Sequence, residues 1–300
     1  MFFLTVSLMK TPNRLPLFFC SVLVLLLMTA HHAVAQSSVR RPANPGSVAE
    51  AGVYPDGVEL LNWARSVNRM CGDERMGIAP LVSWHDDLAR AALDHAADVV
   101  VNNVRGHQGS DGSNIMQRIR RYSPDFFMAG ENIHFAGYSK YLAVSGWLRS
   151  PPHCSNIMNE GITHVGLAYA RNPETNRLIW VLKIGTPRGD QPERVILPPY
   201  DVAPLRGRDV TVFISGSRVY NSYAHNLGRD LQFEGIDHEL KVVFEDPVGI
   251  EIMQQFNITD IQQLTNIVLV DNEVYEGAYT VRQLLDLMNA GERLGTLGEG

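Results

Sequence analysis

The sequence predicts an α/β protein: a three-layer α/β/α sandwich followed by a smaller α/β domain. Apolar residues recur at helical spacing early in the chain, with Leu61, Ala64, Val67 and Met70 in one run and Leu88, Ala91, Ala92, His95, Ala96 and Val99 in the next. The period then drops to two in residues 165–170 and 178–184, which read as strands. Beyond them Pro187, Gly189, Pro192, Pro198, Pro199 and Pro204 mark a break before a second alternation of strands and helices begins.

In order, the spacing predicts a helix over 58–70, a break at Pro80, and a second helix from about Asp86. A polar loop, 106–112, leads into a short helix over 115–121, and Leu142, Ala143 and Trp147 support a fourth over 139–149. The two strands join through a turn at Asn172, Pro173 and Asn176. Helices flanking a small antiparallel sheet give the three layers. After a connection over 187–206, residues 207–295 read as strand 210–215, helix 217–231, strand 240–244, helix 247–256, a hairpin of 266–270 with 273–275 across Asp271-Asn272, and helix 281–290.

The first 35 residues read as a secretory signal peptide: Lys10 and Arg14, an apolar run from Leu15 to Ala30, then Ala33-Val34-Ala35 before Gln36. Cleavage is expected after Ala35, which places the protein in a periplasm or outside the cell. The apolar run is short for a span of about 20 residues, and no later stretch is long and apolar enough to cross a bilayer. Residues 36–57 read as a polar, mobile leader. Without Lys10 and Arg14, 24 basic residues face 32 acidic ones, a net charge of −8. That balance argues against nucleic acid or anionic lipid as a partner. Cys71 and Cys154 are the cysteines left after cleavage. A single disulfide and two free buried thiols are both open readings.

The chemistry-bearing segments are His107 within Gly106-His107-Gln108-Gly109-Ser110-Asp111-Gly112, then Gly130-Glu131-Asn132-Ile133, then Trp147-Leu148-Arg149-Ser150-Pro151-Pro152-His153. Glycines let the first loop turn tightly and leave the imidazole accessible. Pro151-Pro152 presents His153 at a helix start. With the opening segments 68–71 and 80–96, these motifs resemble the CAP superfamily of cysteine-rich secretory proteins, antigen 5 and pathogenesis-related proteins, in its short bacterial form, over about 58–185, within a domain expected over 58–186. The resemblance implies the α/β/α sandwich and brings His107, Glu131 and His153 to one cleft. The family's fuller site has a second Glu three residues after the tryptophan; here that position is Ser150. The 207–295 pattern, with Val-Leu-Val-Asp-Asn-Glu-Val-Tyr-Glu-Gly, is similar to a glutaredoxin-like thioredoxin fold. No cysteine follows Cys154, so thiol exchange is excluded there.

Two imidazoles and a carboxylate suit Zn2+ or another divalent cation, with His107 and His153 as the expected metal ligands. The leading expectation is a secreted, non-enzymatic protein whose cleft binds a divalent metal or a small ligand, a lipid included. A hydrolase using the same cleft is the alternative, through metal-assisted attack or a Ser-His-Glu arrangement with Ser150 or Ser110. A scaffold for a protein partner in the envelope is the third. His85, His95, His134 and His164 read as structural or surface residues, and Asn257-Ile258-Thr259 is a glycosylation sequon.

Overall fold

Two five-stranded sheets, each sandwiched by helices, organise the described residues. The computed structural model describes residues 48, 50–137, 139–189, 193–214, 222–258 and 266–298. Residues 1–47 and 49, the Gly216–Tyr220 stretch, Thr259 of the sequon and Thr265 lie outside the described residues.

The first sheet runs β1 (Ala51–Val53), β6 (His164–Arg171), β7 (Leu178–Pro187) and β5 (Phe126–Gly137), with β4 (Ser83–Trp84) parallel to β6. The other pairs are antiparallel. In β7, Trp180, Leu182 and Ile184 face a core formed with α1 (Gly57–Arg65), α4 (Lys140–Arg149) and α5 (Pro151–Met158). The alternate residues Ile179 and Val181 face α2 (Asp86–Val101). A strand covered on both faces reads as a continuous apolar run, which is the pattern of β7. Helix α3 (Ile115–Arg120) closes the α2 face against Phe126. This is the predicted α/β/α sandwich. Helix α2 packs close because Gly166 has no side chain: a Cβ there would lie 2.1 Å from the Ala89 nitrogen.

Three local expectations change. Residues 51–53 are a strand, not leader, because β6 supplies their hydrogen bonds and Glu50 pairs with Arg171 at 2.8 Å. The first helix ends at Arg65, not near Met70. The chain turns there into a hairpin of β2 (Arg69–Cys71) and β3 (Glu74–Met76), closed at Gly72 with φ of 68°. Residues 126–137, which gave no strand pattern, form a twelve-residue edge strand whose partner is β7. Glycines and a charge broke their alternation, and pairing with distant residues supplies what local pattern lacks. Pro151 and Pro152 open a full eight-residue helix, α5, whose last carbonyls accept from the buried Arg65 guanidinium. Cys71 and Cys154 are disulfide-bonded, Cα to Cα 5.3 Å, so α5 is fixed to the hairpin. The open question of bridge or free thiols is thereby decided.

The second sheet has the order β12 (Gly295–Thr296), β11 (Glu273–Glu276), β10 (Ile267–Val270), β8 (Val210–Ile214), β9 (Glu239–Val242). Only the β8–β9 pair among these is parallel. Helices α6 (Ser222–Phe233) and α8 (Val281–Ala290) share one core with Val210, Val212 and Val268. Helix α7 (Pro247–Gln255) places Ile252 on the opposite face with Phe213 and Val274.

The two sandwiches meet along a polar and aromatic seam. Val67, expected on the first helix, is fully buried in the second core. Tyr279 is stacked between Trp63 and Tyr141, with ring centroids at 5.5 and 5.6 Å. Arg69 and Asp230 form a buried pair at 3.4 Å, and Asn226 donates to Ser145 Oγ at 3.0 Å. Among the described residues no helix is long and apolar enough to cross a membrane.

Candidate functional site

Glu131 is the centre of the site, and it lies in the middle of a strand rather than in a loop. Its Cα partner across the antiparallel pair is Lys183 of β7, and both side chains are fully buried on the α2 face. The Lys183 ammonium donates to Glu131 Oε2, and the Arg118 guanidinium donates to the same oxygen at 3.1 Å. Oε1 accepts from His107 Nδ1 at 2.8 Å and lies 3.6 Å from His95 Nε2. Burial alone would raise the Glu131 pKa, but the His107 hydrogen bond and the Lys183 and His95 charges hold it down to about 2. Burial pushes the Lys183 pKa down too, to about 8.

The loop that carries His107 is tied to the same hub. Gly106 and Gly112 have φ of 108° and 79°, the left-handed values that glycine tolerates. His95 Nε2 bonds to the Gly106 carbonyl at 3.0 Å. Arg118 donates to the His107 and Ser113 carbonyls, each at 2.7 Å. The His107 side chain is 51% exposed. Because an ionised carboxylate can only accept, His107 Nδ1 carries a proton in this bond. A groove of about 490 Å³ opens beside the ring, walled by Gln108, Asn114, Ile115, Met116 and Ala129.

Asn132 follows Glu131 and points to the other face of the strand. It donates to the His153 carbonyl at 3.0 Å and accepts from Asn156 at 2.9 Å, which fixes the start of α5. The Glu131 side of β5 thus holds the His107 imidazole, and the Asn132 side holds the backbone of His153. Burial, and then the charge of His107, hold His153 below the ordinary histidine range. Ser150 Oγ and His153 Nδ1 are 2.8 Å apart, so a serine occupies the imidazole's inner nitrogen.

Residues 58–184 match the model of the cysteine-rich secretory protein family, CAP. The chain carries a CAP domain. Over 103 residues it is 32% identical to the uncharacterized membrane protein YlbC of Bacillus subtilis, covering 34% of this chain and 30% of that protein. It is 26% identical over 115 residues to the uncharacterized protein YkwD of the same organism, covering 38% and 41%. The matched segment spans less than half the length of these curated relatives. Among solved structures, an outer surface protein of Borrelia burgdorferi is similar at a TM-score of 0.36 and 20% identity, over 46% of this chain and 100% of that one. An extracellular protein containing an SCP domain from Bacillus anthracis is similar at 0.31 and 29% identity, over 36% and 34%.

Within this CAP domain the sequence-based site is altered in three respects. Both Glu131 oxygens are engaged by protein donors, so the carboxylate does not stand open as a ligand. Ser110 turns to Asp98, 2.5 Å from Oδ1, and no carboxylate among the described residues bonds to His153; neither serine completes a Ser-His-Glu arrangement. His95, read as structural, reaches the hub, as do Arg118 and Lys183. Of these, Lys183 carried a visible signal: it is the one charge inside Leu178-Ile179-Trp180-Val181-Leu182-Lys183-Ile184.

Proposed function

We propose that the chain is a secreted CAP-domain protein whose cleft binds a divalent metal ion through His107 and His153. The observation that carries this reading is the His107 Nδ1 bond to Glu131 Oε1, with the ring half exposed. A buried carboxylate on the inner nitrogen fixes the tautomer that leaves Nε2 free, the arrangement common behind metal-bound histidines. When Nδ1 of His153 donates to Ser150 Oγ, its Nε2 is equally available. Among the described residues no three His, Cys, Asp or Glu side chains converge as ligands. The donor set is therefore two imidazoles completed by water, which suits Zn2+ better than the oxygen-seeking Mg2+ or Ca2+ and implies weak binding. Glu131, Lys183 and Arg118 then act behind the site rather than in it. The apolar wall of the groove beside His107 suits a small ligand next to the metal. Among the described residues no carboxylate stands behind the His153 ring that meets Ser150, which supports a non-enzymatic reading.

Secretion is supported by the leader pattern and by the Cys71–Cys154 bridge, which persists in oxidising compartments. The second sandwich is read as a thioredoxin-like unit without redox chemistry. Its β9-β8-β10-β11 core, with one parallel pair, supports that fold, and its lack of cysteine supports a binding or spacing role.

Titration calorimetry with Zn2+ on the wild type and on His107→Ala and His153→Ala tests the site. The expected result is weak binding in the wild type, lost in both variants and weakening as pH drops and protons compete for imidazole. Equal heats in all three proteins would show that the two rings do not share an ion.

A further inference from the structure

We infer that Lys183 is a positioning residue of this site: with Arg118 it fixes the Glu131 carboxylate, so that His107 is held in the Nδ1–H form with Nε2 outward. Its consequence for metal binding rests on the two-imidazole reading above, but its geometry does not.

Lysine is foreign to the place it occupies. It sits in the middle of β7, on the face otherwise given to Ile179 and Val181, and its side chain is fully buried. A buried ammonium is costly unless it is paired. The antiparallel register supplies the pair by placing Glu131 directly opposite. On the other side of β7, the Cα partner of Lys183 is Gly166 of β6, the glycine that lets α2 close onto the sheet. The ammonium is thereby shut beneath a helix with the carboxylate as its counterion.

The carboxylate has two oxygens and several suitors, and the division among them decides what His107 does. Oε2 receives Lys183 and Arg118, two cations from different elements. A carboxylate pinned at one oxygen by two charges cannot rotate freely, so Oε1 stays aimed at His107. Arg118 alone is a poor anchor, since its Nη2 is shared with the His107 carbonyl at 2.7 Å and with Oε1 at 3.3 Å. Free histidine in water favours the Nε2–H tautomer. Holding the opposite form needs an acceptor fixed at Nδ1, which the Lys183–Glu131 pair provides. A lysine that merely neutralised a buried acid would leave the tautomer indifferent to its loss, and that difference can be measured.

The experiment is long-range 1H–15N correlation of the histidine rings in the 15N-labelled protein at pH 7.5 without metal. His107→Ala identifies the His107 signals by their disappearance. The wild type is expected to show a single Nδ1–H tautomer at His107. In Lys183→Met the His107 nitrogen shifts should move toward the Nε2–H form, and Zn2+ affinity should fall about tenfold. Lys183→Gln keeps a donor without the charge and should give an intermediate shift; it decides the matter if the methionine variant does not fold. An unchanged His107 tautomer in the folded variant overturns the inference, whatever happens to zinc. A wild type locked as Nδ1–H that binds no zinc overturns the two-imidazole reading and leaves this one standing.

Discussion

Glu131 and Lys183 are opposite partners across β5 and β7, and their buried side chains join the two strands by charge as well as by backbone. The site is thus built on strand register, and the loop that presents His107 is tied to it through Oε1 of Glu131.

Acid should weaken the fold through Glu131. Its folded pKa is depressed to about 2, so its contribution is fully present above the unfolded carboxylate value and is lost as pH falls from about 4.5 to about 2. That contribution is roughly 3 kcal/mol. Denaturant midpoints of the wild type and Glu131→Gln, taken between pH 7 and pH 2.5, should converge as pH drops. A constant gap across that range would show that the carboxylate does not titrate with folding.

Gly166→Ala should destabilise the CAP domain by at least about 1–3 kcal/mol, because the added Cβ meets the backbone of α2, which cannot step aside as a side chain can. Gly77→Ala, with open space around it, is the control and should stay within about 0.5 kcal/mol. Thermal melts of the two variants make the comparison.

Asp230→Ala should cost about 3–5 kcal/mol, since it leaves Arg69 buried at the seam without its carboxylate. Adding Arg69→Met to Asp230→Ala should cost less than the single change. A chemical-denaturation cycle over the four proteins measures this. Additive losses would mean that the two charges do not interact.

Limited proteolysis should cut between residues 187 and 207, where Val195 and Ile196 are 48% and 59% exposed. The fragments should separate on a denaturing gel yet co-elute on size exclusion, because Tyr279 sits between Trp63 and Tyr141 and Arg282 donates to Ser66 O at 2.9 Å. Fragments that elute apart would make the seam a loose contact.

Helix α2 and strands β6 and β7 were legible because their apolar periods are long enough to show, and helix α8 was read to the residue. Strands β1 and β5 were not. One is three residues long, and the other alternates poorly around Gly130, Glu131 and Gly137. Both draw their hydrogen bonds from strands far along the chain. His107, Glu131, Ser150 and His153 were named from motif, but the division of labour among them was not.

The sequence by itself determined the elements with a strong period, the break after Pro187, the charge balance, and the absence of thiol chemistry beyond Cys154. Each is a property of neighbouring residues or of composition. Tertiary structure alone decided that Cys71 meets Cys154, that Lys183 faces Glu131, and that His107 Nδ1 meets Glu131 Oε1. Those outcomes depend on which distant strands pair and in what register, and a one-residue slip would turn Lys183 to the opposite face of the sheet.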